Sequence, residues 1–152
     1  MRRKALSLIV TLAVCMSMFA GTDKSAKSDD GQIENIISPV DISQSPLKFK
    51  ILSDSTVEVE KGNYKDLDSV NIPSKVRIDG KVYTVNSIKY SAFSWKRSLT
   101  TLEIPSSITS IAESSVFSGS PNLKSINVAN DNPNFSSVDG VLFGNYGKVL
   151  VS

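Results

Sequence analysis

A β-rich repeat solenoid with short convex helices, preceded by a β-hairpin, is the fold class this sequence predicts. Three observations carry that prediction. First, Val85–Ile104 and Ile108–Val128 repeat each other. Apolar residues recur in order at Val85/Ile108, Ile88/Ile111, Phe93/Phe117, Leu99/Leu123, Leu102/Ile126 and Ile104/Val128. The first two pairs lie 23 residues apart and the rest 24, because the second copy gains one residue between Ile111 and Phe117. Second, a partial copy precedes them: Leu67, Val70 and Ile72 match Leu99, Leu102 and Ile104 in spacing, as do Leu123, Ile126 and Val128. Third, alternating apolar and polar residues flank turn-forming segments ahead of the repeats. A period of 23–24 residues is that of leucine-rich repeats, units that bury their apolar faces only by stacking on one another.

In chain order, Met1-Arg-Arg-Lys4 is a basic start, and Ala5–Ala20 is an apolar run interrupted only by Ser7, Thr11 and Ser17. Spanning a bilayer takes roughly 20 apolar residues, so residues 1–21 read as a secretory signal peptide rather than an anchor. No stable membrane span is expected after its cleavage, and the mature chain is expected to be secreted or held at the cell surface. Lipidation of Cys15, the only cysteine, is the alternative route to the surface. Val14 before it and the apolar residues Met16, Met18 and Phe19 after it argue for plain cleavage. Removing Arg2, Arg3 and Lys4 leaves fourteen basic against fifteen acidic residues, so the mature chain is about −1 where the precursor is +2. That balance carries no footprint for nucleic acid.

Residues 22–46 are rich in Ser, Asp and Lys and read as a disordered spacer, followed by a leucine-rich-repeat domain over 47–152. Leu47–Ile51 and Val57–Glu60 alternate around Ser53-Asp-Ser-Thr56, which predicts a hairpin. Asp79-Gly80 and Asp139-Gly140, each between apolar runs, predict two tight hairpin turns, and Asn145-Tyr-Gly147 a further one before Lys148–Val151. In each repeat the last two apolar positions are two apart, as on the inward side of a short strand. Pro73 and Pro105 follow and end the pairing, since proline has no N–H to donate. Ser91–Phe93 and Ser114–Phe117 suit single-turn helices that plug the core with Phe93 and Phe117. About two and a half repeats are present, and the apolar Lys148–Ser152 brings no polar cap, so the domain reads as incomplete at that end.

The pattern Ile-x-x-x-Ala-Phe, Leu-x-x-Leu-x-Ile-Pro-Ser, and the segment Asn132–Phe143 resemble the BspA-like leucine-rich-repeat surface proteins. The resemblance runs from about Tyr64 onward and is most specific over Ile88–Pro105, Ile111–Val128 and Phe135–Phe143. It implies a right-handed solenoid, export, and protein partners such as host matrix or cell-surface proteins. Lys89 and Ala112 stand where the family usually has glycine, which predicts no left-handed backbone there.

Enzyme chemistry finds little to work with. The chain has no histidine, which removes the commonest proton shuttle at neutral pH and the commonest metal ligand. No nucleophile elbow, P-loop or dinucleotide fingerprint occurs. Glu58/Glu60 and Asp66/Asp68 are carboxylate pairs, read as solvated faces of strand and loop. Asn130, Asp131, Asn132 and Asn134 could offer oxygens to calcium, against ordinary turn chemistry beside Pro133. No cofactor or metal is expected. The candidate binding residues are Tyr90, Trp95, Lys96 and Arg97, which form one loop, with Glu103 and Asn127 on the polar face of the repeat strands. Tryptophan and arginine are the side chains that most often anchor interfaces. Aligned on the next repeat, Trp95, Lys96 and Arg97 take the places of Gly119, Ser120 and Pro121. The alternative is that Trp95 covers the core edge and its basic neighbours are merely solvated. The expected function is an exported, non-catalytic module for protein or host-matrix contact, adhesin-like in kind. A structural spacer without a ligand is the rival, and an exported hydrolase a distant third.

Overall fold

Alternation and turn chemistry build the first sheet. The structure is a computed structural model that describes residues 38–112, 115–144 and 149–151, so the expected signal peptide and residues 22–37 of the expected spacer lie outside the described residues. Strands β2 (Phe49–Ile51) and β3 (Thr56–Val59) form the first hairpin, pairing Phe49 with Val59 and Ile51 with Val57. Its tip is closed by side chains: the Ser53 and Thr56 hydroxyls lie 2.7 Å apart, and Thr56 N donates to Ser53 Oγ at 3.1 Å. Strands β5 (Lys75–Ile78) and β6 (Lys81–Ile88) form the second, around Asp79 (φ 50°) and Gly80 (φ 79°). Strands β10 (Phe135–Val138) and β11 (Val141–Gly144) form the third, around Asp139 (φ 51°) and Gly140 (φ 80°). Two successive positive φ values match the right-handed twist of the flanking strands, and Asp-Gly tolerates them best.

The repeats then align in two parallel ladders. Strands β4 (Ser69–Asn71), β7 (Thr101–Ile104) and β9 (Ser125–Val128) pair in parallel, setting Val70 beside Leu102 beside Ile126, and Ile104 beside Val128. Val70, Leu102 and Ile126 are buried, while Asn71, Glu103 and Asn127 form the polar row between the apolar ones. On the other side β3, β6 and the two-residue β8 (Ser110–Ile111) are also parallel, matching Val59 with Ile88 and Ile88 with Ile111. The turns that precede the β4, β7 and β9 strands contribute a buried aromatic column. Tyr64 and Phe93 have centroids 5.7 Å apart, and Phe93 and Phe117 stack at 6.2 Å with rings inclined by 10°.

Two expectations need correction. The segments expected as short convex helices are chains of turns, and no described residue is α-helical. Ser91 and Trp95 adopt φ of 58° and 59°, which a right-handed helix cannot hold. Phe93 N and Trp95 N instead donate to Val116 O and Ser118 O of the next repeat, at 3.0 and 2.9 Å. The expected spacer also gives way to structure before residue 46. Strand β1 (Val40–Asp41) pairs in parallel with β5, and Asp41 accepts from Ser43 N at 2.9 Å to cap a 3-10 turn over Ile42–Gln44. The outer edge of β9 is covered: Ile126 N donates to Gly140 O at 3.0 Å and Val128 N to Ser137 Oγ at 2.9 Å. Strand β12 (Val149–Val151) pairs with β11 beyond it; the turn expected at 145–147 lies outside the described residues. Lys89 and Ala112 keep negative φ, the range that side chains favour.

Candidate functional site

The Tyr90–Arg97 loop is built by pairing with the loop after it. Besides the two backbone bonds above, Ser120 Oγ donates to Phe93 O at 2.7 Å and accepts from Lys96 N at 2.9 Å. Asn122 Nδ2 donates to Arg97 O at 2.6 Å. These bonds hold Trp95 in a left-handed conformation that costs a non-glycine residue about 1–2 kcal/mol. Its indole lies against Gly119, where a Cβ would come within 2.7 Å of ring carbons. Gly119 is itself left-handed, φ 73°, so both its conformation and its neighbour demand glycine. Trp95 nevertheless remains 71% exposed and Tyr90 64% exposed, and Arg97 is exposed as well.

Lys96 does not join them. Only 6% exposed, it turns inward, contrary both to a surface handle and to a solvated neighbour. Its Nζ donates to Gly62 O at 2.6 Å and sits 5.1 Å from the Tyr64 ring centroid, a cation–π contact. Burial, then Lys61 and Lys65 nearby, push the ammonium below its usual range. Tyr64 is buried beside it, donating to Glu60 O at 2.6 Å and accepting from Lys48 N at 2.9 Å. Burial raises the phenol's pKa. A Cβ on Gly62 would collide with the Tyr64 ring, so Gly62, Tyr64 and Lys96 form a latch between the lead-in loop and the first full repeat. Lys96 is a structural residue.

Glu103 and Asn127 are brought together on the sheet. Asn127 Nδ2 donates to Glu103 Oε1 at 2.7 Å, and Ser125 Oγ donates to Asn127 Oδ1 at 2.9 Å. Register places Asn71 on the opposite side of Glu103. The result is a row of small polar groups, half satisfied by one another and open to solvent. No hydrogen bond or ring contact among the described residues connects this row to the Trp95 loop.

The other candidates resolve into structure. Glu60 accepts from Lys89 Nζ at 2.7 Å, which lowers its pKa, and Glu58 lies 3.8 Å from Lys50. A general acid near neutral pH needs the opposite shift. Asn132 is fully engaged with the backbone: Nδ2 donates to Pro105 O and Ile108 O, both at 2.9 Å, while Oδ1 accepts from Asn134 N at 2.9 Å and Phe135 N at 2.8 Å. It staples one repeat to the next and has no lone pair left aimed at a cation. One feature escaped the sequence reading: a groove of about 310 Å³ lined by Val40, Pro46, Ile72, Pro73 and Pro105. Its only signal was the shared proline after β4 and β7, and the contribution of residues 40–46 could not be read from a segment without periodicity. Among the described residues no helix is long and apolar enough to cross a membrane.

Residues 62–148 match the family model of the BspA type leucine-rich-repeat region, in six copies. A leucine-rich-repeat protein from Bacteroides ovatus ATCC 8483 has a similar solved structure, with 31% identity over 56% of this chain and a TM-score of 0.50. A leucine-rich cell surface protein from Faecalibacterium prausnitzii A2-165 matches at 27% identity over 57% of this chain, TM-score 0.48. The chain spans only 22% and 23% of the lengths of those two proteins. No curated protein matches it. Since the matched residues make up more than half of the sequence and carry the whole β4–β7–β9 ladder, the chain belongs to the BspA-type leucine-rich-repeat family.

Proposed function

We propose that this chain is a non-catalytic contact module displayed at a bacterial cell surface, where its repeats form part of a solenoid that binds other proteins. The observation that supports this most is the parallel β4–β7–β9 ladder, whose apolar rows are consumed in the core while Ser69, Asn71, Thr101, Glu103, Ser125 and Asn127 are offered outward. Such a surface suits distributed hydrogen bonding to a protein, with strength gained by repetition, more than capture of a small molecule. Membership in the BspA-type family favours the location, and the basic-then-apolar start of the sequence supplies a route to it. Adhesion to host matrix proteins is the specific form proposed here. Solid-phase binding of the mature chain to a panel of matrix proteins tests it, with Glu103→Ala as the variant that alters the polar row. Saturable binding at micromolar concentration, weakened by that substitution, supports adhesion. Its absence across the panel leaves the spacer reading, in which the row is merely a solvated face whose side chains satisfy one another.

A further inference from the structure

Trp95 and Gly119 hold equivalent places in consecutive repeats, and both are left-handed. Within the Trp95 loop, the groups that make the bonds holding this conformation are backbone N–H and C=O groups, which nearly any residue supplies. Glycine takes the conformation freely, as the second repeat does, whereas a bulky L-residue is strained there. Burial does not compensate, because the indole is 71% exposed. Neither backbone nor core therefore accounts for tryptophan at this position, and the loop presents it in fixed orientation beside the exposed Tyr90 and Arg97.

The charge around the loop is basic. Arg97, Lys61 and Lys65 are exposed, and the charged neighbours that act on Lys96 are Lys61 and Lys65. Glu60, beside Lys61 in sequence, is taken by Lys89, and Asp66 and Asp68 stand further along the lead-in loop. Resting on the contact-module reading above, we infer that the Tyr90–Arg97 loop is a docking surface for an acidic segment of a partner protein that also carries aromatic or apolar side chains. Trp95 is its anchor and Arg97 its principal charge contact. Tryptophan, tyrosine and arginine together are the side chains that dominate protein–protein hot spots, which favours a protein segment, and a sulfated glycan is the alternative that heparin tests.

The probe is a random copolymer of glutamate and tyrosine, added to the full mature chain. Trp95 is the only tryptophan, so its emission, excited where tyrosine does not absorb, reports directly on the loop. Binding should shift that emission and weaken as salt rises. With the copolymer labelled and anisotropy followed, Trp95→Ala and Arg97→Glu should each weaken binding by about tenfold or more. Heparin should not compete, and a lysine–tyrosine copolymer should not bind. Copolymer binding that ignores both substitutions would overturn this surface while leaving a contact module intact. No binding at all would overturn the acidic partner, and the matrix-protein panel would then decide the broader reading separately. Tighter binding of heparin would overturn it in favour of a glycan. Arg97 is exposed, so Arg97→Glu keeps the test decisive should Trp95→Ala fail to fold.

Discussion

The two loops that hold the core phenylalanines, Tyr90–Arg97 and its counterpart ending at Asn122, share a left-handed position and differ in what they show to solvent. In both, a left-handed residue follows a core phenylalanine by two positions, Trp95 after Phe93 and Gly119 after Phe117. The first loop holds it while paired to the second through Trp95 N and Lys96 N, and both loops close the preceding turn with the same local bond, Ser94 N to Ser91 O and Ser118 N to Ser115 O. The second loop meets the requirement with the residue that suits it. The first meets it with one that costs about 1–2 kcal/mol and stays exposed. In a repeat protein, a neighbouring unit thus serves as an internal control, separating residues the architecture requires from residues present for another reason.

The comparison sharpens first at the core. Phe93 is fully buried between Tyr64 and Phe117, whereas Phe117 is 7% exposed and stacks on Phe93. Phe93→Ala should lower unfolding free energy by about 3–5 kcal/mol, and Phe117→Ala by roughly 1 kcal/mol less, as read by urea denaturation. Next comes the staple between the units: Asn132→Ala removes both donors from Pro105 O and Ile108 O and both acceptor contacts. A loss of about 2–3 kcal/mol is expected, with faster amide exchange at Asn134 and Phe135. Gly119→Ala should cost about 1–2 kcal/mol, partly from its φ and partly from the indole against it. In a Trp95→Gly background the second part vanishes, so the double mutant should lose less stability than the two single losses added together.

A smaller effect concerns pH. Lys96 has a folded pKa below its ordinary value of 10.5, so the unfolded chain binds this proton more firmly. Its contribution therefore makes stability rise as pH climbs from the folded pKa toward 10.5. Tyr64 acts oppositely, because its raised pKa contributes stability that is lost as pH rises above 10.0. Lys96→Met should flatten the rise below pH 10 in denaturation curves collected across that range. An unchanged slope would mean that the buried ammonium costs nothing.

The ladder strands were legible because their cause is local. Leu99, Leu102 and Ile104 carry their spacing with them, and Asp79-Gly80 and Asp139-Gly140 announce their own turns. What stayed hidden depends on partners far along the chain. Lys96 looks like a surface lysine until Gly62 and Tyr64 are brought beneath it, and its hydrogen bond spans 34 residues. The convex helices were expected from segment length and a phenylalanine plug, but N–H groups that would have closed helical turns pair with the next repeat instead. Strand β1 has two residues and no period to read. Of the candidate site, Glu103 and Asn127 were correctly placed on one face because strand alternation decides facing, and register put them within 2.7 Å of each other.

Trp95→Gly, measured for stability and binding in the same preparation, addresses the central claim most directly. The account predicts unfolding free energy within about 1 kcal/mol of the parent, since strain relief offsets lost packing and added chain entropy, together with loss of binding to the glutamate–tyrosine copolymer. A fall of several kcal/mol with binding retained would contradict it, and would make Trp95 a structural residue of the first repeat.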